Sequence, residues 1–496
     1  MDPLRERRDL EHMATVALRF PSKVRLVVVS NRGPFVLKET ATGVEKQWAV
    51  SGLVSAIMPL FRTTPGTWVA WGGRFASEKE AGTTYQEGNL KWVEVPLTRR
   101  EVELYYDGFA NQVMWPLCHH FLEKCVIDPD WWTGYREVNQ KFASLTGKVG
   151  HDADLIWVHD YHLALVPSFL RQQAFAKKSP KIGLFWHIPF PGPDTWEVVP
   201  WSREIIEGLL GADVIAFHVP KYVENFLQCV RAFIDATVLP GGKLIFYQGR
   251  VVEVQAIPVG VNQELFSSLG KNPEIREKAE LIRQQIGGEK LLLGVERLDY
   301  SKGVLDKLSA FERFLEKYPE YHGRVTLLQI AVPTRNGIGA YTELRRRVEA
   351  LVGRINGRFS TPAWTPVRYF YRSFDQKELA AFYLAADVAL VTPLRDGLNL
   401  VAAEYVVTKG EKPGVLVLSR LAGIACHLRE ALLVNPYNPE DMVEAIRQAL
   451  EMPVEEQRKR LQALQQKLAR WTAATWVRSF LKTTLEHRAE YSVATP

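Results

Sequence analysis

The chain has 496 residues, of which 47% are hydrophobic and 24% charged, which is typical of a folded globular protein and excludes disordered, collagen-like and coiled-coil chains. Lys and Arg number 62 and Asp and Glu 56, so the formal net charge is +6, too small a surplus to indicate a nucleic-acid partner. The four cysteines are too few and too scattered for a disulfide framework, and at roughly 100–200 residues per domain the length allows two to four domains.

The region before Phe20 carries charges of both signs and lacks the apolar stretch of a signal peptide. The sequence contains no uncharged apolar run of the roughly 18–20 residues that a membrane-spanning helix needs. Scattered cysteines are also typical of proteins from a reducing compartment. We therefore expect a cytoplasmic protein without a membrane partner.

Short, continuously apolar runs recur along the chain, each followed by a polar residue and then by a helical stretch. In the first half they occupy residues 25–30, 155–159, 182–187 and 214–218. In the second half they occupy residues 291–295, 325–330, 388–392 and 415–419, with amphipathic segments at 304–317 and 376–386. Because strands buried on both faces have such runs, the pattern predicts parallel sheets in a doubly wound α/β fold.

Two stretches rich in Pro and Gly, around residues 239–243 and 258–261, interrupt this alternation. We therefore predict two Rossmann-like domains, at residues 22–260 and 261–454, with the ligand in a cleft between them. Leucines and aromatic residues at helical spacing predict a C-terminal helix over residues 455–490 that packs back on the first domain.

Cations and imidazoles follow nearly every predicted strand, at the edge where open α/β sheets bind ligands. In the first half the strands lead to Arg32, His159, Asp160, His187 and His218. In the second half they lead to Arg297 with Lys302, to Arg335, and to the segment 395–400. Such a set predicts an enzyme or a binding protein for anionic, hydroxyl-rich small molecules.

The second half also contains groups suited to a nucleoside diphosphate. Arg297 offers a bidentate fork and Lys302 a point charge within one loop, and Gly303 permits close approach of the backbone. The segment 396–400 precedes a helix whose first amide groups can receive a phosphate, and Glu404 on that helix suits ribose hydroxyl groups. The sequence has neither a Walker A motif nor a strand-bound G-x-G-x-x-G motif.

A cluster of potential zinc ligands occurs at Cys118, His119, His120 and Cys125. Its spacing matches no usual zinc pattern, and the flanking apolar residues are typical of a packed helical segment. We therefore interpret the cluster as part of the core and predict no bound metal.

Several of these segments resemble the retaining glycosyltransferases of the trehalose-6-phosphate synthase family, including VERLDYSKG at 295–303 and TPLRDGLNLV at 392–401. Further matching segments lie at residues 28–32, 104–106, 114–116, 156–163, 187–191, 352–359, 364–366 and 435–437. The resemblance extends over roughly residues 25–485 and implies the GT-B fold of two facing Rossmann-like domains. It also implies transfer of glucose from a nucleotide-diphosphate glucose, expected to be UDP-glucose, to glucose 6-phosphate with retention of the anomeric configuration.

The resemblance further implies roles for individual residues of this sequence. It implies catalytic roles for His187, Asp396, Arg297 and Lys302. It implies that the donor contacts Gly52, Arg297, Lys302, Phe374, Asp396, Gly397, Leu398, Asn399, Leu400, Val401 and Glu404. It implies that the acceptor contacts Arg32, Tyr106, Trp115, Asp160 and Arg335. No Asp-x-Asp metal motif stands at a matching strand end, so we expect catalysis without a metal or other cofactor, and the sequence leaves open whether the chain forms a homo-oligomer.

Three departures from the family's pattern concern the acceptor: residues 51–53 read Ser-Gly-Leu, residues 420–423 read Arg-Leu-Ala-Gly, and residues 218–226 resemble the glucosylglycerol-phosphate synthase branch. That branch uses glycerol 3-phosphate. Arg335, Tyr106 and Trp115 favour a sugar acceptor, so we expect glucose 6-phosphate and keep glycerol 3-phosphate as the alternative. An inactive sugar-phosphate-sensing homologue is a second alternative, disfavoured because such a protein would be expected to have lost residues such as Arg297 or Glu404.

Overall fold

A computed structural model of the chain describes residues 24–40, 43–49, 52–175, 179–286, 289–335 and 337–487. The segment before Phe20, Ser51 and residues 488–490 lie outside these described residues. The chain forms two units: the C-terminal unit comprises residues 260–472, and the N-terminal unit comprises the described residues up to 259 together with those from 473. None of the described helices combines the length and the hydropathy that a membrane span requires.

The N-terminal unit is built on a ten-stranded sheet in the order β10-β11-β12-β9-β8-β7-β1-β4-β6-β5, and β2 and β3 form a separate hairpin. Its described strands are β1 (Leu26–Arg32), β2 (Phe35–Thr40), β3 (Gly43–Trp48), β4 (Gly66–Trp71), β5 (Thr84–Glu87), β6 (Leu90–Glu94), β7 (Leu155–His159), β8 (Lys181–Phe185), β9 (Val214–Phe217), β10 (Thr237–Val238), β11 (Leu244–Tyr247) and β12 (Arg250–Ala256). The central strands are parallel, whereas β5, β10 and β11 join antiparallel at the two edges.

The helices of this unit connect the parallel strands. They are α1 (Gly52–Phe61), α2 (Arg99–Val102), α3 (Trp115–Cys118), α4 (Pro129–Val149), α5 (Val166–Arg171), α6 (Pro193–Trp196), α7 (Ser202–Leu209) and α8 (Pro220–Phe233). Asp128 caps the long helix α4, because its carboxylate accepts from the amides of Asp130 and Trp131, and Pro129 fits the first helical position. Between α2 and α3 the chain forms a π-helix, Glu103–Met114, a rare conformation that is frequent at functional sites.

The C-terminal unit has a six-stranded, fully parallel sheet in the order β15-β14-β13-β16-β17-β18. In chain order its strands therefore lie 3-2-1-4-5-6, the arrangement of dinucleotide-binding Rossmann folds. The strands are β13 (Lys290–Arg297), β14 (Val325–Val332), β15 (Val367–Phe370), β16 (Val388–Val391), β17 (Val415–Ser419) and β18 (Leu432–Val434). The helices are α9 (Gln263–Lys271), α10 (Pro273–Ile286), α11 (Val304–Lys317), α12 (Gly339–Phe359), α13 (Gln376–Ala385), α14 (Leu400–Lys409), α15 (Pro439–Glu451) and α16 (Val454–Leu468).

The single helix predicted over residues 455–490 is wrong: the described part of this segment forms α16 and a separate helix, α17 (Ala473–Glu486). The break covers residues 469–472, and Thr472 pairs with Val261 as an isolated bridge instead of continuing the helix. Only α17 belongs to the N-terminal unit, where Phe480 stacks on Trp157 of β7 with ring centroids 4.6 Å apart.

All eight strands predicted from apolar runs are present. Two of them, β7 and β17, match their predicted bounds and are buried at every residue. The predicted helix at 304–317 coincides with α11, and the one at 376–386 ends one residue early in α13. The helix α13 begins where it does because Asp375 and Glu378 form a capping box.

Candidate active site

The loop after β13 carries two of the candidate cations of the C-terminal unit, Arg297 and Lys302. Arg297 is the last residue of β13, at the edge where open α/β sheets bind ligands, and is exposed. The loop is held by Asp299, whose Oδ1 accepts from the amide of Ser301 at 2.9 Å. Gly303 then starts α11 with φ +66°, and a Cβ atom there would lie 2.6 Å from the carbonyl oxygen of Thr392, so a glycine is required.

Lys302 and Asp396 form an ion pair, with Nζ 2.7 Å from Oδ2, although they lie on loops that follow different strands. Both side chains are largely buried, at 9% and 15% exposure, so water screens this pair less than a surface ion pair. The same Oδ2 accepts from Nδ2 of Asn399 at 3.1 Å, and Oδ1 accepts from the amide of Leu398 at 3.3 Å. The carboxylate therefore organises the loop that carries it.

The loop 396–399 leads directly into α14, as the sequence predicted. Asn399 caps this helix, because its Oδ1 accepts from the amide of Ala402 at 3.3 Å. Leu400 and Val401 then form the first turn, where backbone N–H groups have no partner within the helix and favour an anion. Gly397 and Leu398 are buried beneath it.

The segment 420–423, which departs from the family's pattern, packs against this loop. The amide of Asp396 donates to the carbonyl of Leu421, and the amide of Gly423 donates to the carbonyl of Asp396. A Cβ atom at Gly423 would lie 2.0 Å from the carbonyl oxygen of Gly397. The segment therefore supports the loop through its backbone, a role that the sequence did not reveal.

Glu404 lies one turn into α14, half-buried, and accepts at Oε2 from the hydroxyl of Tyr383 at 2.9 Å. Burial raises the pKa of the Glu404 carboxyl to about 7. Phe374 lies beyond β15, and its ring is edge-on to that of Phe382 with ring centroids 5.0 Å apart.

The candidate acceptor residue Arg335 also lies in the C-terminal unit. Its Nη1 atom is 2.7 Å from Oδ2 of Asp299, and this oxygen accepts as well from the hydroxyl of Tyr341 at 3.0 Å. Asp299 is fully buried and Arg335 nearly so. Sequence reasoning missed Asp299 as the partner of Arg335, because the two residues lie on loops after neighbouring strands and are joined only by the fold.

In the N-terminal unit, Arg32 ends β1 at an irregularity of the strand register. Its guanidinium carbon lies 3.9 Å from the ring centroid of Trp71 and 5.7 Å from that of Tyr106, so two aromatic faces hold the cation. Gly73 makes room for it: its φ is +86°, and a Cβ atom there would lie 2.2 Å from Nη1 of Arg32. Tyr106 belongs to the π-helix and stacks on His162.

His187 follows β8 and contacts two neighbours from β7 and the turn after it. Its Nε2 lies 3.0 Å from Nδ1 of His159, and its amide donates to Oδ1 of Asp160 at 3.1 Å. Burial lowers the pKa of His159 to about 3, and burial together with the imidazoles of His159 and His218 holds the pKa of His187 well below its usual value. Both rings are therefore neutral, and one N–H group is shared between them.

Two further candidates differ in their surroundings. Gly52, the first residue of α1, is exposed. Trp115 is 4% exposed and packs against His119 with ring centroids 4.0 Å apart, so little of its ring is accessible to a ligand. His119 donates from Nδ1 to the backbone carbonyl of Trp115 at 2.8 Å. The described residues contain no group of three or more His, Cys, Asp or Glu side chains arranged to hold a metal.

Backbone strain marks three of the candidate residues. Among the described non-glycine residues, five have a positive φ, and Asp160 (+72°), Arg335 (+48°) and Asn399 (+81°) are among them. Such conformations cost free energy and persist where the surrounding structure enforces them, typically at functional sites. Through the contacts described above, the structure brings Lys302 together with Asp396 and Asn399 in the C-terminal unit, and His187 together with Asp160 in the N-terminal unit.

The chain was then compared with known proteins. The family model of glycosyltransferase family 20 matches residues 24–486. The UDP-forming alpha,alpha-trehalose-phosphate synthase of Candida albicans is 39% identical over 463 residues, which cover 92% of this chain and 96% of the relative. The 56 kDa subunit of the corresponding enzyme of Saccharomyces cerevisiae is 36% identical over 94% of this chain and 95% of its own length.

Solved structures agree. The UDP-forming alpha,alpha-trehalose-phosphate synthase of Burkholderia xenovorans in complex with glucose 6-phosphate matches with a TM-score of 0.86 and 35% identity, over 93% of this chain and 99% of that chain. The E. coli protein bound with UDP-2-fluoro glucose matches with a TM-score of 0.87 and 32% identity, over 94% and 100%. These matches confirm the α/β fold of the GT-B class. The chain belongs to glycosyltransferase family 20, the family of the trehalose-6-phosphate synthases.

Proposed function

We infer that the chain is a retaining glucosyltransferase that moves glucose from UDP-glucose to glucose 6-phosphate, giving α,α-trehalose 6-phosphate and UDP. The observation that carries this inference is the ion pair of Lys302 and Asp396 beside the first turn of α14, at the strand ends of a Rossmann sheet. The names of the relatives, and the glucose 6-phosphate and UDP-sugar analogue held by two of them, favour these substrates over glycerol 3-phosphate.

The C-terminal unit suits the nucleotide. The ammonium group of Lys302 has three donors, so it can contact a diphosphate oxygen while it also holds Asp396. Arg297 adds a planar, bidentate group from the end of β13, and the first amides of α14 favour the same anion. As the bond between glucose and UDP breaks, negative charge grows on the diphosphate, and these groups stabilise it.

The acceptor phosphate requires separate cations. Arg32, held over the ring of Trp71, and Arg335, held by Asp299, are the candidates. Arginine suits a phosphate better than lysine does because its fork donates two parallel hydrogen bonds. Both arginines are oriented by fixed partners, which reduces the conformational entropy lost when a ligand binds.

Retention follows if the acceptor hydroxyl attacks the anomeric carbon from the face that UDP leaves. The bond between C1 and the UDP oxygen breaks, the bond between C1 and the acceptor oxygen forms, and the acceptor proton passes to the departing phosphate oxygen. Asp396 then serves to hold glucose hydroxyl groups and Lys302, and the neutral imidazole of His187 contacts the transferred sugar. The step needs no metal ion, since Arg297 and Lys302 supply the positive charge.

A matrix of substrates tests this proposal. Purified protein is incubated with UDP-, ADP- or GDP-glucose, each with glucose 6-phosphate or glycerol 3-phosphate, and the released nucleotide and the product are quantified. We expect the fastest turnover with UDP-glucose and glucose 6-phosphate. Equal or faster turnover with glycerol 3-phosphate would overturn the acceptor, and no turnover with any pair would favour a sugar-phosphate sensor. A rate that falls with a chelator and returns with a divalent ion would contradict the metal-free step.

A further inference from the structure

A buried tyrosine contacts the carboxylate that we assign to the ribose of the donor. Tyr383 lies on α13 and Glu404 on α14, and the hydroxyl of Tyr383 donates to Oε2 of Glu404 at 2.9 Å. The tyrosine is 1% exposed, and its ring packs against Tyr405 and Phe266 with ring centroids 6.3 and 6.5 Å away. The hydroxyl group of Tyr383 is therefore held in one place before any ligand binds.

The hydrogen bond fixes which part of the carboxylate remains for a ligand. A carboxylate has two oxygens with about four lone-pair sites, and the tyrosine takes one site on Oε2. The remaining sites match a vicinal diol, which presents two hydroxyl donors side by side. A ribose has such a diol, whereas 2′- and 3′-deoxyribose have only one of the two hydroxyls.

The hydrogen bond also opposes the effect of burial on Glu404. Burial raises the pKa of the carboxyl to about 7, and donation from Tyr383 lowers it, because a hydrogen bond to the charged form favours that form. Tyr383 is the titratable group that acts on this carboxyl among the described residues. On the same helix, Tyr405 donates to the carbonyl of Asp387 and Lys409 to that of Ala386.

We propose that Tyr383 is a positioning residue of the donor site, which orients Glu404 toward the ribose diol and so makes the enzyme select ribonucleotides over deoxyribonucleotides. The proposal rests on the proposed function, because that function assigns Glu404 to the ribose. By opposing the effect of burial on the pKa of Glu404, Tyr383 also increases the fraction of this carboxyl that is ionised at neutral pH. It acts through Glu404 and does not itself contact the nucleotide.

The test measures binding of UDP, 2′-deoxy-UDP and 3′-deoxy-UDP to the full chain by calorimetry. The variant Tyr383→Phe keeps the ring and removes only the hydroxyl, so we expect UDP to bind about tenfold more weakly, the effect of one hydrogen bond to a charged group. Binding of the deoxy analogues should change by less than about twofold, as they already lack part of the diol. The matched control Tyr405→Phe removes an equally buried hydroxyl that does not contact Glu404, and all three affinities should stay as in the wild type.

The pH dependence separates positioning from a general loss of packing. In the wild type, UDP affinity should rise with pH as Glu404 ionises at a pKa of about 7. In Tyr383→Phe the inflection should move upward by about one pH unit, since each unit corresponds to the free energy of about one such hydrogen bond. The phosphate of UDP titrates in the same way with the wild type and with the variant, so it does not contribute to the difference between their two inflections. In the background of Glu404→Gln, Tyr383→Phe should have no further effect on selectivity.

Three results would overturn the proposal: unchanged UDP affinity in Tyr383→Phe, an equal loss for UDP and its deoxy analogues, or an unshifted inflection. Wild-type protein that binds no UDP at all would instead contradict the proposed function. Circular dichroism and the melting temperature of Tyr383→Phe are measured alongside, and the Glu404→Gln variant addresses the same contact from its other partner.

Discussion

One pair of strand ends in the C-terminal unit and one pair in the N-terminal unit differ in the charge of the groups that they carry. In the C-terminal unit, Lys302 and Asp396 form an ion pair that is largely withdrawn from water. In the N-terminal unit, β7 and β8 lead to His159 and His187, whose rings contact each other at 3.0 Å and are both neutral. This difference supports our proposal that Lys302 meets the leaving diphosphate and that His187 meets the uncharged hydroxyl groups of a sugar.

A physical reason accounts for the neutral imidazoles. An imidazolium beside the transferred sugar would attract phosphate groups and bind them in the wrong place. A neutral imidazole instead donates one hydrogen bond and accepts another, which fits a hydroxyl group. The aromatic rings of Trp157 and Trp476, 4.5 and 6.3 Å from the ring centroid of His159, exclude water and keep it uncharged.

Removal of the buried cation should have the largest effect. In Lys302→Ala the leaving diphosphate loses a fixed positive charge, so we expect kcat to fall by about 10²–10³-fold, as for other single donors that stabilise charge in a transition state. Steady-state rates with UDP-glucose and glucose 6-phosphate measure this. Lys317→Ala is the control, because Lys317 lies in the same unit but pairs with Glu440 and Glu444 at the surface. A loss of similar size in both variants would contradict the charged character that we assign to the site.

The next effect concerns the acceptor phosphate. Arg335→Gln retains a hydrogen-bond donor toward Asp299 but removes the charge, so we expect the KM for glucose 6-phosphate to rise by more than about tenfold. The KM for UDP-glucose should change by less than about twofold. Arg345→Gln removes an exposed arginine that pairs with Glu349 and should leave both constants unchanged. A rise confined to the donor KM would show that Arg335 has been assigned to the wrong substrate.

The neutral state of His159 should make the N-terminal unit sensitive to acid. The pKa of a histidine is about 6.5 in an unfolded chain, whereas burial lowers that of His159 to about 3. His159 therefore takes up a proton on unfolding below about pH 6.5. For this reason the free energy of unfolding should fall by about 2 kcal/mol when the pH is lowered from 7 to 5. In His159→Asn, which has no titrating ring, we expect the thermal midpoint to fall less over this range.

The control for this prediction is His151→Asn, because His151 is exposed in the same unit and only its Nδ1 contacts the carbonyl of Lys148. This variant should show the same loss of the thermal midpoint with acid as the wild type. An acid sensitivity that His159→Asn leaves unchanged would mean that the imidazole is charged in the folded protein, and the contrast between the units would fail.

The parallel strands were predictable from the sequence, and the edges of the first sheet were not. Strands such as β7 and β17 are buried at every residue, so their composition alone identifies them. The strand β11, which lies next to the edge strand β10, alternates between less buried and buried residues over only four positions, which gives a weak signal. The π-helix has no sequence pattern of its own, because it depends on tertiary packing. At Gly108 of this helix, for example, a Cβ atom would lie 2.7 Å from the ring of Trp131.

The candidate site residues were found from strand ends and from the family resemblance, but the residues that hold them were not. Asp299 was visible in a matching segment, yet its ion pair with Arg335 depends on the neighbouring positions of β13 and β14. Tyr383 and Gly73 carried no signal, because a helical tyrosine usually belongs to the core and a glycine to a turn. Pairings of this kind arise from the three-dimensional packing of distant segments.

The smallest effect is expected for a substitution beside α17, the helix that shields the imidazoles of His159 and His187 from water. A Cβ atom at Gly183 would lie 2.6 Å from the ring of Phe480 on α17, so Gly183→Ala should displace this helix and lower stability by about 1 kcal/mol. Gly192→Ala is the matched control, since a Cβ atom there meets only Gln228 at 3.9 Å. Because Trp476 of the same helix packs against His187, the displacement should also admit water and reduce the acid sensitivity of the N-terminal unit. A stability loss without that change would show that the neutral imidazoles depend on the strands alone.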